Sequence, residues 1–292
     1  MRCPTLKELP SPLPGKKGWP WTEESPQLPN TMPDGRPWPK VSIVTPSYNQ
    51  GQFLEETIRS VLLQGYPNLE YIVIDGGSDD NSVEIIEKYD PWLTYWVSEP
   101  DRGQAHAINK GFEKAHGKIL GWLNSDDLFL QRALAHIAKV YVEKKEAVAW
   151  VGGCLRVDEK GTFINEIIPR GVVRDNLGDW GRTCHFYQPA CFFSSEIFYK
   201  AGKLNEDLRY AFDLDLWIRL AEFGEFFLTQ FTLAAAHIHP LAKTQSKRIK
   251  MHSETIRVQI EHRYHKCAFL RLERLIWRAA TRRAKKIVRE LL

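Results

Sequence analysis

The residues able to do chemistry gather in four short polar segments, each following an apolar run. Pro46-Ser47-Tyr48-Asn49 comes after Val41–Thr45, and Asp75-Gly76-Gly77-Ser78-Asp79-Asp80 after Leu69–Ile74. Glu99-Pro100-Asp101-Arg102-Gly103-Gln104 comes after Trp92–Val97, and Asn124-Ser125-Asp126-Asp127 after Lys118–Leu123. Carboxylates crowded together repel, so acids converging on one edge imply a bound cation. Asn-Ser-Asp-Asp offers hard oxygen ligands, which suit Mg2+ or Mn2+ held by one or two carboxylates together with substrate phosphates. The other reading of Asp126 or Asp127 is a cap on the following helix. A G-x-x-x-x-G-K-[ST] loop, a G-x-G-x-x-G fingerprint and an H-E-x-x-H pair are all missing from the sequence. A phosphate-bearing ligand would then be held by metal and Arg rather than by a glycine cradle.

The elements that must position these segments follow from periodicity. Phe53, Leu54, Ile58, Val61 and Leu62 recur at helical spacing, and Gly65-Tyr66-Pro67 ends that helix. Asn81 with Glu84 predicts a capping box on a helix that Pro91 closes. Ala105, Ile108, Phe112 and Ala115 mark another helix, and Leu130–Lys145 a further one. Four short apolar strands alternating with helices predict an α/β fold with a mostly parallel central sheet flanked by helices. Such sheets bind ligands beyond the carboxyl ends of their strands, where the four polar segments lie.

Both ends of the 292-residue chain differ from this pattern. Residues 1–39 form a Pro-rich arm with ten of the 17 prolines, and its tryptophans 19, 21 and 38 suit packing on the body. Past residue 250 the chain turns helical and basic, with eight cations against Glu273 alone within 271–289. Leu270, Ile276, Trp277, Ala280, Ile287 and Val288 supply an apolar component there, so the tail suits an anionic membrane surface or a helix docked on the body. A net charge of +4 is too mild for a nucleic-acid protein. Five scattered cysteines fit a reduced, cytoplasmic chain, and the Pro-broken N-terminus does not resemble a signal peptide.

VSIVTPSYNQ, IDGGSDD, DRGQAHAINKGF and GWLNSDD, in this order, resemble the family 2 glycosyltransferases, inverting enzymes of the GT-A fold that use nucleotide sugars. The resemblance spans about residues 40–245. It implies a donor half at 40–130 and an acceptor half at 131–245, with the basic helical tail at 246–292 beyond it. It also implies a divalent ion, Mn2+ or Mg2+, bridging the diphosphate of a UDP-linked donor. Thr45, Pro46 and Tyr48 resemble the residues framing the base, Asp75 the acid that reads it, and Arg102 a basic group near the phosphates. Asn124-Ser125-Asp126 resembles the D-x-D motif with Asn in first place, leaving Asp126 and Asp127 for the metal.

Further along, AFDLDLW resembles the acceptor-side motif, which makes Asp213 the general base and places Asp215 and Trp217 beside it. Two acids opening a helix also suit its dipole. Gln188 falls in a segment resembling the acceptor side, and HIHPLAKT resembles the late His loop, with His239 near the metal and Lys243 beside it. The resemblance implies transfer to a hydroxyl acceptor, and peripheral membrane contact through the basic tail would suit a glycan or lipid-linked acceptor in envelope polysaccharide synthesis. Asn124, Gly76 and Phe212 depart from the family pattern, and they support the other reading, a non-catalytic nucleotide-sugar-binding scaffold.

Overall fold

A computed structural model describes residues 1–239 and 248–277. Lys243 and the six cations between 278 and 289 lie outside the described residues. In chain order the first elements are β1 (Val41–Ser47), α1 (Gly51–Leu62), β2 (Leu69–Asp75), α2 (Ser82–Tyr89), β3 (Tyr95–Ser98), α3 (Gln104–Phe112) and β4 (Ile119–Trp122). There follow β5 (Asp127–Phe129), α4 (Ala133–Glu143), β6 (Ala149–Asp158), β7 (Phe163–Ile167) and a single turn, α5 (Arg174–Leu177). The last elements are β8 (Cys191–Ser194), α6 (Ser195–Lys200), α7 (Phe212–Leu220), β9 (Phe226–Ile238), α8 (Arg248–Glu261) and a helix α9 from 265 to 277.

The strands form one sheet in the order β3-β2-β1-β4-β8-β6-β9-β5, with β7 on the free stretch of β6. The first four strands are parallel, as the alternation with helices predicts. The second half is mixed: β4–β8, β8–β6, β6–β7 and β5–β9 are antiparallel, and β6–β9 is parallel. Strand direction there depends on long connections, which local periodicity does not encode.

Both faces of the parallel part are covered, so all of β1 and β2 is buried. Alternate residues feed two separate cores. Val41, Ile43, Leu69, Tyr71 and Val73 join α1 and α4 on one side, while Val44, Ile72 and Ile74 join α3 and α7 on the other. Gly111 lets α3 lie close on β1, since a Cβ there would come within 2.5 Å of Val44 Cγ1.

Four local expectations change. Residues 90–92 form a 3-10 turn around Pro91, so the third strand begins at Tyr95. Asn81 makes no side-chain cap; instead Asp80 accepts from the N–H groups of Gly51 and Ser82, both at 2.9 Å, and serves two helices at once. The predicted helix at Leu130 starts at Ala133, after Arg132 at φ 65°. Asp127 opens a strand, so neither Asp126 nor Asp127 is a helix cap.

The arm packs on the body. Cys3 N–H donates to Tyr66 O, Ser25 N–H to Leu63 O, and Trp19 Nε1 to Phe129 O at 2.8 Å. Arg59, wholly buried on α1, donates to the carbonyls of Pro10, Pro20 and Trp21 and to the Tyr89 hydroxyl. Proline supplies carbonyls without competing N–H groups, which suits a segment that must satisfy a buried guanidinium.

Candidate active site

A cavity of about 540 Å3 opens at the carboxyl ends of β1 and β4. Pro46, Ser47, Tyr48 and Gln50 form one end, the 124–127 segment the floor, and Trp180 to Pro189 with Arg209 to Asp213 the far wall. Among the described residues, Ser47 Oγ and Gln50 Oε1 are buried without a partner. Orphaned polar atoms in a cleft mark where a polar ligand completes the hydrogen bonding.

Asn124 is the hub of the floor. Its Oδ1 accepts from Gln104 Nε2 at 2.7 Å, and its Nδ2 donates to Asp127 Oδ2 at 3.1 Å and Gln188 Oε1 at 3.3 Å. A carboxylate here could accept from Gln104 but would have nothing to donate to Asp127, so the amide suits its surroundings better than an acid. Burial, reinforced by the charge of Asp126, pushes the Asp127 carboxyl well above the ordinary range. Asp127 lines the cavity beside Asp126 and is tied to the floor by its bond to Asn124. Gln188 lies against this floor, its Nε2 donating to Trp122 O.

Asp126 is the acid that faces out. Its Oδ2 is 3.0 Å from His239 Nε2, and its backbone oxygen is 2.7 Å from His237 Nδ1. Phe53 stacks on the His237 ring, 5.7 Å between centroids, and packs tilted against that of His239, 4.9 Å away. Two donors about 2.1 Å from an octahedral ion, at right angles, stand about 3.0 Å apart. The spacing of this pair fits one edge of such a site. No cluster of three or more His, Cys, Asp or Glu ligands occurs among the described residues, so the remaining positions would fall to water and substrate oxygens.

Asp213 occupies the opposite wall, in the first turn of α7. Its Oδ1 accepts from Leu214 N–H at 2.7 Å. Burial pushes its carboxyl up to about 6, with the charges of Glu254 and Asp215 adding to the rise. A carboxylate so placed ionises near neutrality and can take a hydroxyl proton.

Other anticipated residues lie elsewhere. Thr45 is buried with its hydroxyl 3.0 Å from that of Tyr71. The Asp75 carboxylate is fully engaged by Gly77 N–H, Ser78 N–H and the hydroxyls of Ser78 and Ser98, and so shapes its loop from within. Arg102 points outward, paired with Glu206 at 2.5 Å.

Asp215 and Trp217 also miss the cleft. Burial alone would raise the Asp215 carboxyl, but His262 and Arg219 bind it and hold it below its usual value. Trp217 is buried and stacks on Trp122, 5.4 Å between ring centroids at 9°. Helical periodicity turns Asp215, two residues on, to the side of α7 away from Asp213, while Trp217, one turn on and on the same face, is buried against Trp122.

Among the described residues, the arginines lining the cleft are instead Arg156 on β6 and Arg209 ahead of α7. Arg209 lies over Gly103, where a Cβ would come within 2.2 Å of its Nη1. The sequence pattern singled out neither; closeness to AFDLDLW could have marked Arg209, while Arg156, alone on a strand, carries no such signal.

The fold is that of the GT-A glycosyltransferases. Structures of Staphylococcus aureus TarS 1–349 in complex with UDP-GlcNAc and of the Pyrobaculum calidifontis mannosyltransferase PcManGT in complex with GDP-Man and Mn2+ each superpose with a TM-score of 0.59. The first has 16% sequence identity over 76% of this chain and 66% of its own, the second 19% over 95% and 85%. Residues 42–201, more than half of the sequence, match Glycosyl transferase family 2, and the chain belongs to that family.

An uncharacterised glycosyltransferase of Rickettsia conorii is 28% identical over 75% of this chain, which spans only 37% of that relative's length. TuaG of Bacillus subtilis, a glycosyltransferase named for teichuronic acid biosynthesis, is 33% identical over 47% of this chain and 56% of its own.

Proposed function

We propose that this glycosyltransferase moves a sugar, with inversion, from a UDP-linked donor to a hydroxyl of an envelope glycan or lipid-linked acceptor. The observation that carries the proposal is a single cleft with Asp126 on its floor, bonded to the buried His239, and Asp213, its carboxyl raised to about 6, on the facing wall. The donor half, to about residue 130, holds the nucleotide under Pro46 and Tyr48; the acceptor half presents the hydroxyl to Asp213.

Asp126 and His239 would hold a divalent ion, Mn2+ or Mg2+, which when bound stabilises charge on a departing diphosphate. Asp213 takes the proton of the acceptor hydroxyl as that oxygen forms a bond to the anomeric carbon. The bond from that carbon to the diphosphate breaks on the opposite face, which inverts the configuration. Arg209 and Arg156 bring positive charge to the cleft, and the wall from Trp180 to Tyr187 keeps water from the reacting carbon.

Isothermal titration with UDP, with and without Mn2+, tests the donor site. UDP binding is expected to require Mn2+ and to weaken about a hundredfold in Asp126→Ala. Mn2+-independent UDP binding, unaltered in this variant, would sink the assignment of the ion. A wild type that binds UDP with Mn2+ yet neither hydrolyses nor transfers from a panel of UDP-sugars would instead be a non-catalytic scaffold.

The tail supports contact with a membrane at its inner, cytoplasmic face. Ala268 of α9 is buried on the body, while Phe269, Leu272 and Ile276 are 62%, 46% and 62% exposed, with Lys266 and Arg274 beside them. No described helix is long and apolar enough to cross a bilayer. Sedimentation with phosphatidylglycerol vesicles is expected to carry the protein down at low salt, and replacing Phe269 and Ile276 by Ser to release it. Equal sedimentation of the two proteins would remove the apolar contact from the proposal.

A further inference from the structure

Three consecutive backbone N–H groups, those of Arg209, Tyr210 and Ala211, converge on one carboxylate, Glu254 of α8. The distances are 2.9 and 3.0 Å from Arg209 to the two oxygens, 2.6 Å from Tyr210 and 3.0 Å from Ala211. These donors belong to the segment entering α7, just before the helix turn that carries Asp213, and no capping side chain of α7 itself serves them. Successive N–H groups aimed at one point form an anion-binding concavity, and here the anion is built into the chain.

The same helix holds α7 a second time. His262, following α8, bonds to Asp215 at 2.8 Å, and Met251 reaches the cleft lining. Glu254 thus fixes the one stretch of backbone that carries Arg209 into the cleft at one end and leads into Asp213 at the other. Nothing in the family resemblance, which ends near residue 245, reaches this residue.

We infer that Glu254 is a positioning residue for transfer: by clamping backbone 209–211 it sets the general base and the cleft arginine in register with the acceptor. The inference rests on the reading of Asp213 as the base. A carboxylate so close does more than hold the loop, because its charge also opposes ionisation of Asp213. Among the described residues, the charged and titratable groups around Asp213 are Glu254 of α8 and His262 just after it, Asp215 and Arg219 on its own helix, and Arg209 and Tyr210 before it. Across the cleft stand Asp101, Asp126, Asp127, Arg156, His185 and His237. Of these, Glu254 alone binds the backbone leading into the base.

The test uses full-length wild type, Glu254→Gln, which keeps the shape but removes the charge and half of the acceptor capacity, and Glu254→Asp, which keeps the charge on a shorter stem. The Asp213 carboxyl carbon is titrated by NMR, and kcat and donor KM are measured with UDP-sugars. In Glu254→Gln the titration midpoint of Asp213 is expected to fall below its wild-type value of about 6. Its kcat is expected to drop about ten- to a hundredfold at unchanged donor KM, as misplacement of a reacting group does. Glu254→Asp is expected to restore the midpoint and part of kcat.

An unmoved midpoint, or a raised KM with kcat intact, would overturn the inference. Should the wild type turn over no UDP-sugar, the catalytic reading fails by itself, and the NMR titration still decides whether Glu254 acts on Asp213.

Discussion

Asp213→Asn is expected to lower kcat by about a thousandfold while UDP affinity stays within about twofold, because the amide cannot take up the acceptor's proton and Asp213 faces the wall opposite the donor floor. The wild-type pH profile gives the same group a second signature. Burial raises its carboxyl to about 6, so kcat/KM is expected to fall as pH drops through that value and to level off above it. The stability effect has the opposite sense. A folded-state carboxyl above its unfolded value binds its proton more tightly in the native protein, so its contribution favours folding at low pH and is lost as pH rises through about 6. The Asn variant should therefore melt no lower than wild type at pH 8. A variant retaining more than a tenth of wild-type kcat, or a profile flat through pH 6, would remove Asp213 from the base role.

Arg59→Ala carries the largest expected stability effect. The guanidinium is fully buried, donates at 2.9 to 3.1 Å to three arm carbonyls and the Tyr89 hydroxyl, and has the Trp21 ring 5.3 Å away. Charge balance reaches it through Tyr89, which donates to Glu55, itself paired with Lys88 at 2.6 Å. Truncation leaves buried carbonyls of Pro10, Pro20 and Trp21 unpaired and Glu55 with one cation fewer. A loss of about 3–5 kcal/mol is expected, with the arm becoming the first site of limited proteolysis. Arg59→Lys should recover only part of this, since one ammonium cannot reach donors spread across a planar fork. An unchanged urea midpoint with a protease-resistant arm would show that its aromatic contacts suffice without the guanidinium.

Much of the donor half could be read from the residues themselves. Strands that alternate two-sided apolar runs with helices must lie parallel and buried, and parallel strands carry their carboxyl ends to one edge. That places Tyr48, Asn124 and Asp126 around one cleft before any contact is known. At Asp213 the residues alone gave two acids opening a helix, which α7 has, and its role as base came only from the resemblance of AFDLDLW to the acceptor-side motif. The mixed pairing of the second half was not legible, because antiparallel β8 and parallel β9 are set by where long connections return.

What the sequence determined by itself was the kind of group at each strand tip and the edge to which it would come. Which of those groups face the cleft was decided only by tertiary structure. Asp75 is consumed by its own loop, Asp215 by Arg219 and His262, and Arg102 by Glu206. The partners that matter most are distant in the chain: His239 lies 113 residues from Asp126, and Glu254 lies 43 residues from Ala211. Residue type and local period specify helix, strand and face, but the free energy of a buried charge depends on the counter-group that folding brings beside it, and no local pattern records that meeting.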